Sequence, residues 1–220
     1  MDYIQSHWAL ARCLNETKHN LYIMNTMLRS LFFLYLVTQS ILAIGADIIY
    51  KGIYYNINHK SQTLKVVGVS DMNISGELTI PDTIKYAGVK YPVNEILDQS
   101  FKDCKYIEFI QLPKTITIIG KGAFEGCLGL TSINLPEGIT EIPERAFYNC
   151  SGLTSLTIPK GMTSIGDLAF GGCSGLTSLI IPESVTSIGN RLFQDCIGLT
   201  SVMIPDGVTS IGEMAFENCI

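Results

Sequence analysis

Three residue types recur along this chain in a single phase. Proline stands at Pro113, Pro136, Pro159, Pro182 and Pro205, phenylalanine at Phe101, Phe124, Phe147, Phe170, Phe193 and Phe216, and cysteine at Cys104, Cys127, Cys150, Cys173, Cys196 and Cys219, every step being 23 residues. A period of that length means units too small to bury their own apolar faces, which become stable only by stacking on one another. The architecture is therefore a solenoid before any single element is assigned.

One unit, Leu153 to Gly175, reads LTSLTIPKGMTSIGDLAFGGCSG. Its opening alternation places Leu153, Leu156 and Ile158 inward and leaves Thr154, Ser155 and Thr157 outward, the pattern of a short strand with one buried face. Pro159 ends that strand because proline has no N–H for the ladder. A second extended piece, M-T-S-I-G, follows, and the stretch D-L-A-F-G-G-C is expected to return as a short helical or 3-10 turn with Ala169, Phe170 and Cys173 inward. Stacked strands lie about 4.8 Å apart.

The composition suits this reading. Charged residues are 16% and hydrophobic residues 47% of the chain, which excludes intrinsic disorder. The formal charge of −5 argues against a nucleic-acid partner, which selects basic surfaces. The three histidines, His7, His19 and His59, all precede the array, so a triad built on imidazole has no parts there.

Residues 1–46 read as a secretion segment. Arg29 precedes an uncharged run, SLFFLYLVTQSILAIGA, and small residues follow at Ala43, Gly45 and Ala46. A basic flank, an apolar stretch and a small-residue exit outline a signal peptide. The run is shorter than a membrane-spanning helix prefers, so no span is expected in the mature chain. Initiation at Met24 or Met27 would give a conventional short basic flank, which makes the residues before about 27 a candidate mis-assigned start.

The pattern L-x-x-L-x-(L/I)-P-x-x-(V/I)-x-x-I-G-x-x-A-F-x-x-C resembles the BspA-like bacterial leucine-rich repeat over residues 78–220. The resemblance implies an α/β repeat fold: a β-rich leucine-rich-repeat solenoid of 23-residue repeats. The position where leucine-rich repeats commonly carry Asn or Cys is held here by Thr115, Gly138, Gly161, Ser184 and Gly207, so an asparagine ladder is not expected. Residues 47–77 resemble the amino-terminal part of such proteins and read as β-hairpins, with Tyr54–Ile57 and Thr63–Val69 as strands, serving as an N-terminal cap. Pro81 to Pro113 spans 32 residues, so the first coil carries a nine-residue insertion at about Tyr86–Asn94. The array stops in mid-repeat, and the chain is expected to be a fragment of a longer protein.

The candidate residues fall into an outward face and an inward ladder. The varying outward column is Gln111, Asn134, Thr157, Ile180 and Met203, flanked by Thr131, Thr154, Thr177 and Thr200. It drifts from polar to apolar, and an exposed Ile180–Met203 patch is a candidate contact surface. The inward ladder is Phe124, Phe147, Phe170 and Phe193 with Cys127, Cys150, Cys173 and Cys196. Parallel Cβ vectors suit free buried thiols better than disulfides. Metal binding is disfavoured by the absence of a C-x-x-C pair. The glycines around Lys121 are repeat punctuation, since the same phase reads PERAFYN and GDLAFGG in the next units. Asn73-Ile74-Ser75 and Asn149-Cys150-Ser151 match the glycosylation sequon, and only Asn73 sits where a glycan would fit. Glu125, Glu141, Glu144, Asp167 and Glu213 occur at shifting phases and do not assemble a nucleophile, base and orienting group.

No catalytic residue and no cofactor is therefore expected, and nothing in the residues indicates an oligomeric state. The family resemblance implies a secreted or cell-surface bacterial binding protein mediating adhesion, with a host extracellular-matrix protein or cell-surface glycoprotein as partner. Two alternatives stand beside it: a spacer array presenting a further carboxyl-terminal domain, and a glycan-binding module.

Overall fold

A computed structural model describes residues 46–219 of the chain; the expected secretion segment, apart from Ala46, and the expected alternative start lie outside the described residues. The first three strands, β1 (Ile48–Tyr50), β2 (Ile53–Asn58) and β3 (Thr63–Val69), form an antiparallel meander. Lys51 and Gly52 turn between β1 and β2 with φ of 49° and 78°, the positive pair that matches strand twist in a tight hairpin. The coils then begin with β4 (Gly76–Thr79), β5 (Thr83–Tyr86) and β6 (Val89–Ile96), and β3 runs parallel to β6.

Nine further strands follow: β7 (Ile107–Gln111), β8 (Ile118–Ile119), β9 (Ser132–Ile133), β10 (Glu141–Ile142), β11 (Ser164–Ile165), β12 (Ser178–Ile180), β13 (Ser187–Ile188), β14 (Ser201–Met203) and β15 (Ser210–Ile211). They build two parallel faces. On the first, β4, β7 and β9 pair in order, Asn134 bridges Thr157, and β12 pairs β14 with Ser178 opposite Ser201. On the second, β6 pairs β8, β10 pairs β11 with Glu141 opposite Ser164, and β13 pairs β15.

The core runs between these faces and is made of the same few positions in each coil. Phe101, Phe124, Phe147, Phe170 and Phe193 are fully buried and stack in one row that Phe216 extends, with ring centroids 5.3 to 5.8 Å apart. The rings lie within about 10° of parallel through Phe193, and centroid separations in this range correspond to offset stacking.

The third side of each coil corrects one expectation. No helix or 3-10 segment occurs among the described residues; the Ala-Phe-x-x-Cys stretches are chains of turns. The hydrogen bonds give the reason. In the first coil, Ser100, Lys102 and Cys104 donate their N–H back three residues, while Gln99, Phe101 and Asp103 donate to Lys121, Ala123 and Glu125 of the next coil. Alternate amides thus point out of the coil, whereas a helix keeps every one inside. Left-handed residues at Gln99, Arg145, Leu168, Arg191 and Met214, with φ from 53° to 57°, reverse the chain at the same phase. A second left-handed column, Asp103, Gly126, Asn149, Gly172, Asp195 and Asn218, lies four positions on.

Candidate functional site

The first face carries the outward columns. Asn134, Thr157, Ile180 and Met203 are exposed there, while Gln111 is only half-buried. Asn134 is tied to the preceding coil: its Oδ1 accepts from the Leu112 N–H at 3.3 Å and its Nδ2 donates to the Leu112 carbonyl at 3.4 Å. Ile180 and Met203 are each 64% exposed and are directly opposed in the β12–β14 register. Both line an open groove of about 570 Å3 with Thr157, Leu156, Lys160 and Glu183. One charge of each sign thus flanks a mainly aliphatic floor.

The threonine column beside it has a different role. Thr131 Oγ1 donates to the Glu108 carbonyl at 2.9 Å, Thr154 to Thr131 at 3.3 Å and Thr200 to Thr177 at 3.0 Å. Thr163 and Thr209 repeat this on the second face, toward Thr140 and Thr186. These hydroxyls stitch coil to coil. Thr177 is exposed like the others. The position lacking asparagine is served similarly: Thr115 Oγ1 donates to Val93 at 2.6 Å, and Ser184 Oγ to Lys160 at 2.9 Å and to Met162.

Behind the face lies a row of thiols. Cys127, Cys150, Cys173 and Cys196 donate to the carbonyls of Phe101, Phe124, Phe147 and Phe170 at 3.0 to 3.1 Å, and Cys219 to Phe193 at 3.1 Å. All six thiols of the row are free. Burial is the leading cause that pushes each thiol up, Cys104 to about 11 and Cys196 to about 12, with Cys127, Cys150 and Cys173 driven further still. Protonated, inward thiols are neither nucleophiles nor metal ligands. Among the described residues no group of three His, Cys, Asp or Glu is disposed to hold a metal ion.

Three of the scattered carboxylates are engaged in structure. Glu125 pairs with Lys102 at 3.0 Å and Glu144 with Lys121 at 3.1 Å. Asp167 accepts from the Asn190 N–H at 2.8 Å and from its Nδ2 at 3.0 Å. Glu141 and Glu213 are exposed at different positions of their coils. Gly120 packs where a Cβ would collide with the backbone of Asp98, and Asn73 is exposed with its amide bonded to Asp71 at 3.1 Å.

Two features were not read from the sequence. The thiol–carbonyl row depends on a separation of 26 residues, three more than the repeat, which no pattern within one unit displays. The first left-handed column carries a glycine only at Gly122 and is otherwise occupied by Gln, Arg, Leu and Met, residues without a positive-φ preference, whereas the second could have been found from its Gly, Asn and Asp.

The comparisons with known proteins agree with this geometry. The family model described as "BspA type Leucine rich repeat region" matches residues 94–220 in six copies. No curated protein matches the chain. A leucine-rich repeat protein from Bacteroides ovatus is similar at 33% identity and a TM-score of 0.75, over 79% of this chain and 45% of its own. A leucine rich cell surface protein from Faecalibacterium prausnitzii is similar at 33% identity and a TM-score of 0.68, over 77% and 45%. A leucine-rich repeat protein of T. pallidum matches at 27% identity and a TM-score of 0.64, over 75% and 81%. The chain thus spans less than half the length of the first two. With parallel strand faces, a stacked phenylalanine row and six matched repeats, the chain belongs to the BspA-type leucine-rich-repeat family of bacterial proteins.

Proposed function

We propose that the chain is a secreted or cell-surface binding protein in which the first strand face holds a protein partner, such as a host matrix protein or a cell-surface glycoprotein. One observation carries the reading: the column that varies from coil to coil, Thr157, Ile180 and Met203, lines the open groove, with Ile180 and Met203 exposed. Exposed aliphatic side chains facing one another across a register pair are costly in water and mark contact surfaces. Kinship with a protein described as a leucine rich cell surface protein supports an extracellular site of action. In this reading each coil has 23 residues, the array occupies residues 78–220, and residues 47–77 cap the first coil with the β1–β3 meander.

A spacer function is favoured by a different observation, the threonine hydroxyls that bond coil to coil instead of facing outward. Binding of the full chain to immobilised matrix glycoproteins and glycans separates the two. Thr157→Arg and Ile180→Arg each place a long cation in the groove without touching the core. An adhesive face predicts at least a tenfold loss of binding in both, about 1.4 kcal/mol or more. Binding indifferent to both changes, or none to any surface by the folded chain, would leave the spacer.

A further inference from the structure

The first coil exceeds the others by a two-stranded ribbon that the array does not need. β5 and β6 run antiparallel with Thr83 opposite Pro92, Ile84 opposite Tyr91, Lys85 opposite Lys90 and Tyr86 opposite Val89. Ala87 and Gly88 turn between them at φ of 49° and 84°, so the tip is a tight, twist-matched turn. Every residue from Lys85 to Lys90 is exposed. We propose that the free edge of β5 is a docking site for an extended peptide in which acidic and apolar residues alternate, added to the sheet as one more strand.

Three observations carry this. First, β5 is the end of its sheet, with β6 on one side and no strand on the other among the described residues. Pro92 has no N–H, so Thr83–Pro92 is a non-hydrogen-bonded pair, and the antiparallel alternation makes Lys85–Lys90 another. The N–H and C=O groups of Thr83 and Lys85 therefore point to the open edge, the template that strand addition uses.

Second, Lys85 and Lys90 face one another directly, and side chains in a non-hydrogen-bonded pair lie closest. Like charges directly opposite destabilise a hairpin. Among the described residues the ion-paired lysines are Lys65, Lys102 and Lys121, and this pair is not included. A carboxylate from an added strand would neutralise it. The same charges exclude a second copy of β5, which would bring further lysines to the edge.

Third, the opposite face of the ribbon tip carries Tyr86 and Val89, 46% and 43% exposed. They continue the face on which Ile84 and Tyr91 meet the core. A strand whose side chains alternate acidic and apolar would meet the lysines on one face and extend this apolar surface on the other. An anionic polysaccharide or nucleic acid would use the lysines alone.

The test uses the full chain and a fluorescent, end-blocked peptide alternating Glu and Val, about eight residues long. Fluorescence anisotropy should report binding that weakens with added salt and falls about tenfold or more in the Lys85→Glu/Lys90→Glu variant. The same peptide N-methylated at alternate residues keeps its charge but cannot complete the ladder, and should lose a similar factor against the unaltered chain. An alternating Lys and Val peptide should not bind. Undiminished binding of the N-methylated peptide in both registers would overturn the proposal. So would a silent Glu and Val peptide at millimolar concentration, or a sulfated polysaccharide that binds where the peptide does not.

Discussion

The thiol of Cys150 shows how one residue serves this fold. It is fully buried beneath the turn, packs in the row between Cys127 and Cys173, and gives its S–H to the Phe124 carbonyl at 3.1 Å. A serine there would offer a stronger donor but lose the apolar body that suits the core. The row also makes stability depend on pH. Burial holds Cys104 and Cys196 protonated to about 11 and about 12, above an ordinary value of 9.0. Between those limits the folded chain binds more protons than the unfolded one, so stability falls as pH rises. The urea midpoint should therefore be insensitive to thiol ionisation up to about pH 7.5, roughly a unit below the midpoint of an unperturbed thiol, and then decline steadily. Peptide mapping after alkylation at pH 8 should find Cys127, Cys150, Cys173 and Cys196 unmodified in the folded chain and modified in denaturant. A midpoint rising with pH, or rapid native alkylation of these four, would contradict the buried row.

At the scale of the element, the turns hold the coils together as much as the strands do. The strands of the array are only two or three residues long from β8 onward, too short to be stable as isolated pairs. The outward amides of the turns add a third ladder, running from Phe124 to Ala146, from Phe147 to Ala169 and from Phe170 to Leu192. Close approach between coils demands glycine at chosen places. A Cβ on Gly152 would meet the Leu128 carbonyl at 2.5 Å, whereas the nearest atom to one on Gly161 lies at 3.8 Å. Gly152→Ala should therefore destabilise by about 1–3 kcal/mol through overpacking. Gly161→Ala should be neutral or stabilise by up to about 1 kcal/mol by stiffening the unfolded chain. Denaturant titration of the two variants measures the contrast, and equal effects would show that the coils are not closely stacked at Gly152.

For the whole molecule, each coil touches its neighbours and little else, so the array is close to one-dimensional. Thr154 reaches Thr131 and Thr163 reaches Thr140, each at a separation of 23 residues. Removing residues 153–175 would bring Leu176 to the place of Leu153 with every row intact. Such a deletion should keep the strand signature in circular dichroism and unfold cooperatively with a smaller m-value, since less surface is exposed. Removing one residue more or fewer should break the register of the Phe and Cys rows and abolish cooperative unfolding. Equal behaviour of the deletions would mean that the repeat is not the structural unit.

The sequence by itself determined the stacking, the inward residues and the punctuation. A core position occupied once per coil must recur at the coil length, so Phe147, Cys150, Leu153 and Ile158 were visible as core without any neighbour being known. The insertion before Pro113 was likewise visible as an excess of length. What the sequence could not display is how a coil bonds to the next one. The turn around Phe147 reads as helical because Ala, Phe and Cys recur at spacings a helix would also use. Only the stacked structure shows half its amides turned outward and Arg145 and Leu168 held in left-handed conformations that their side chains do not favour. The contact surface was decided in the same way. Ile180 and Met203 were legible as outward, but their union with Lys160 and Glu183 around one groove, and the confrontation of Lys85 with Lys90 across a hairpin, arise from register. Register is set by hydrogen bonds between coils and between strands, and those exist only once the chain has folded onto itself.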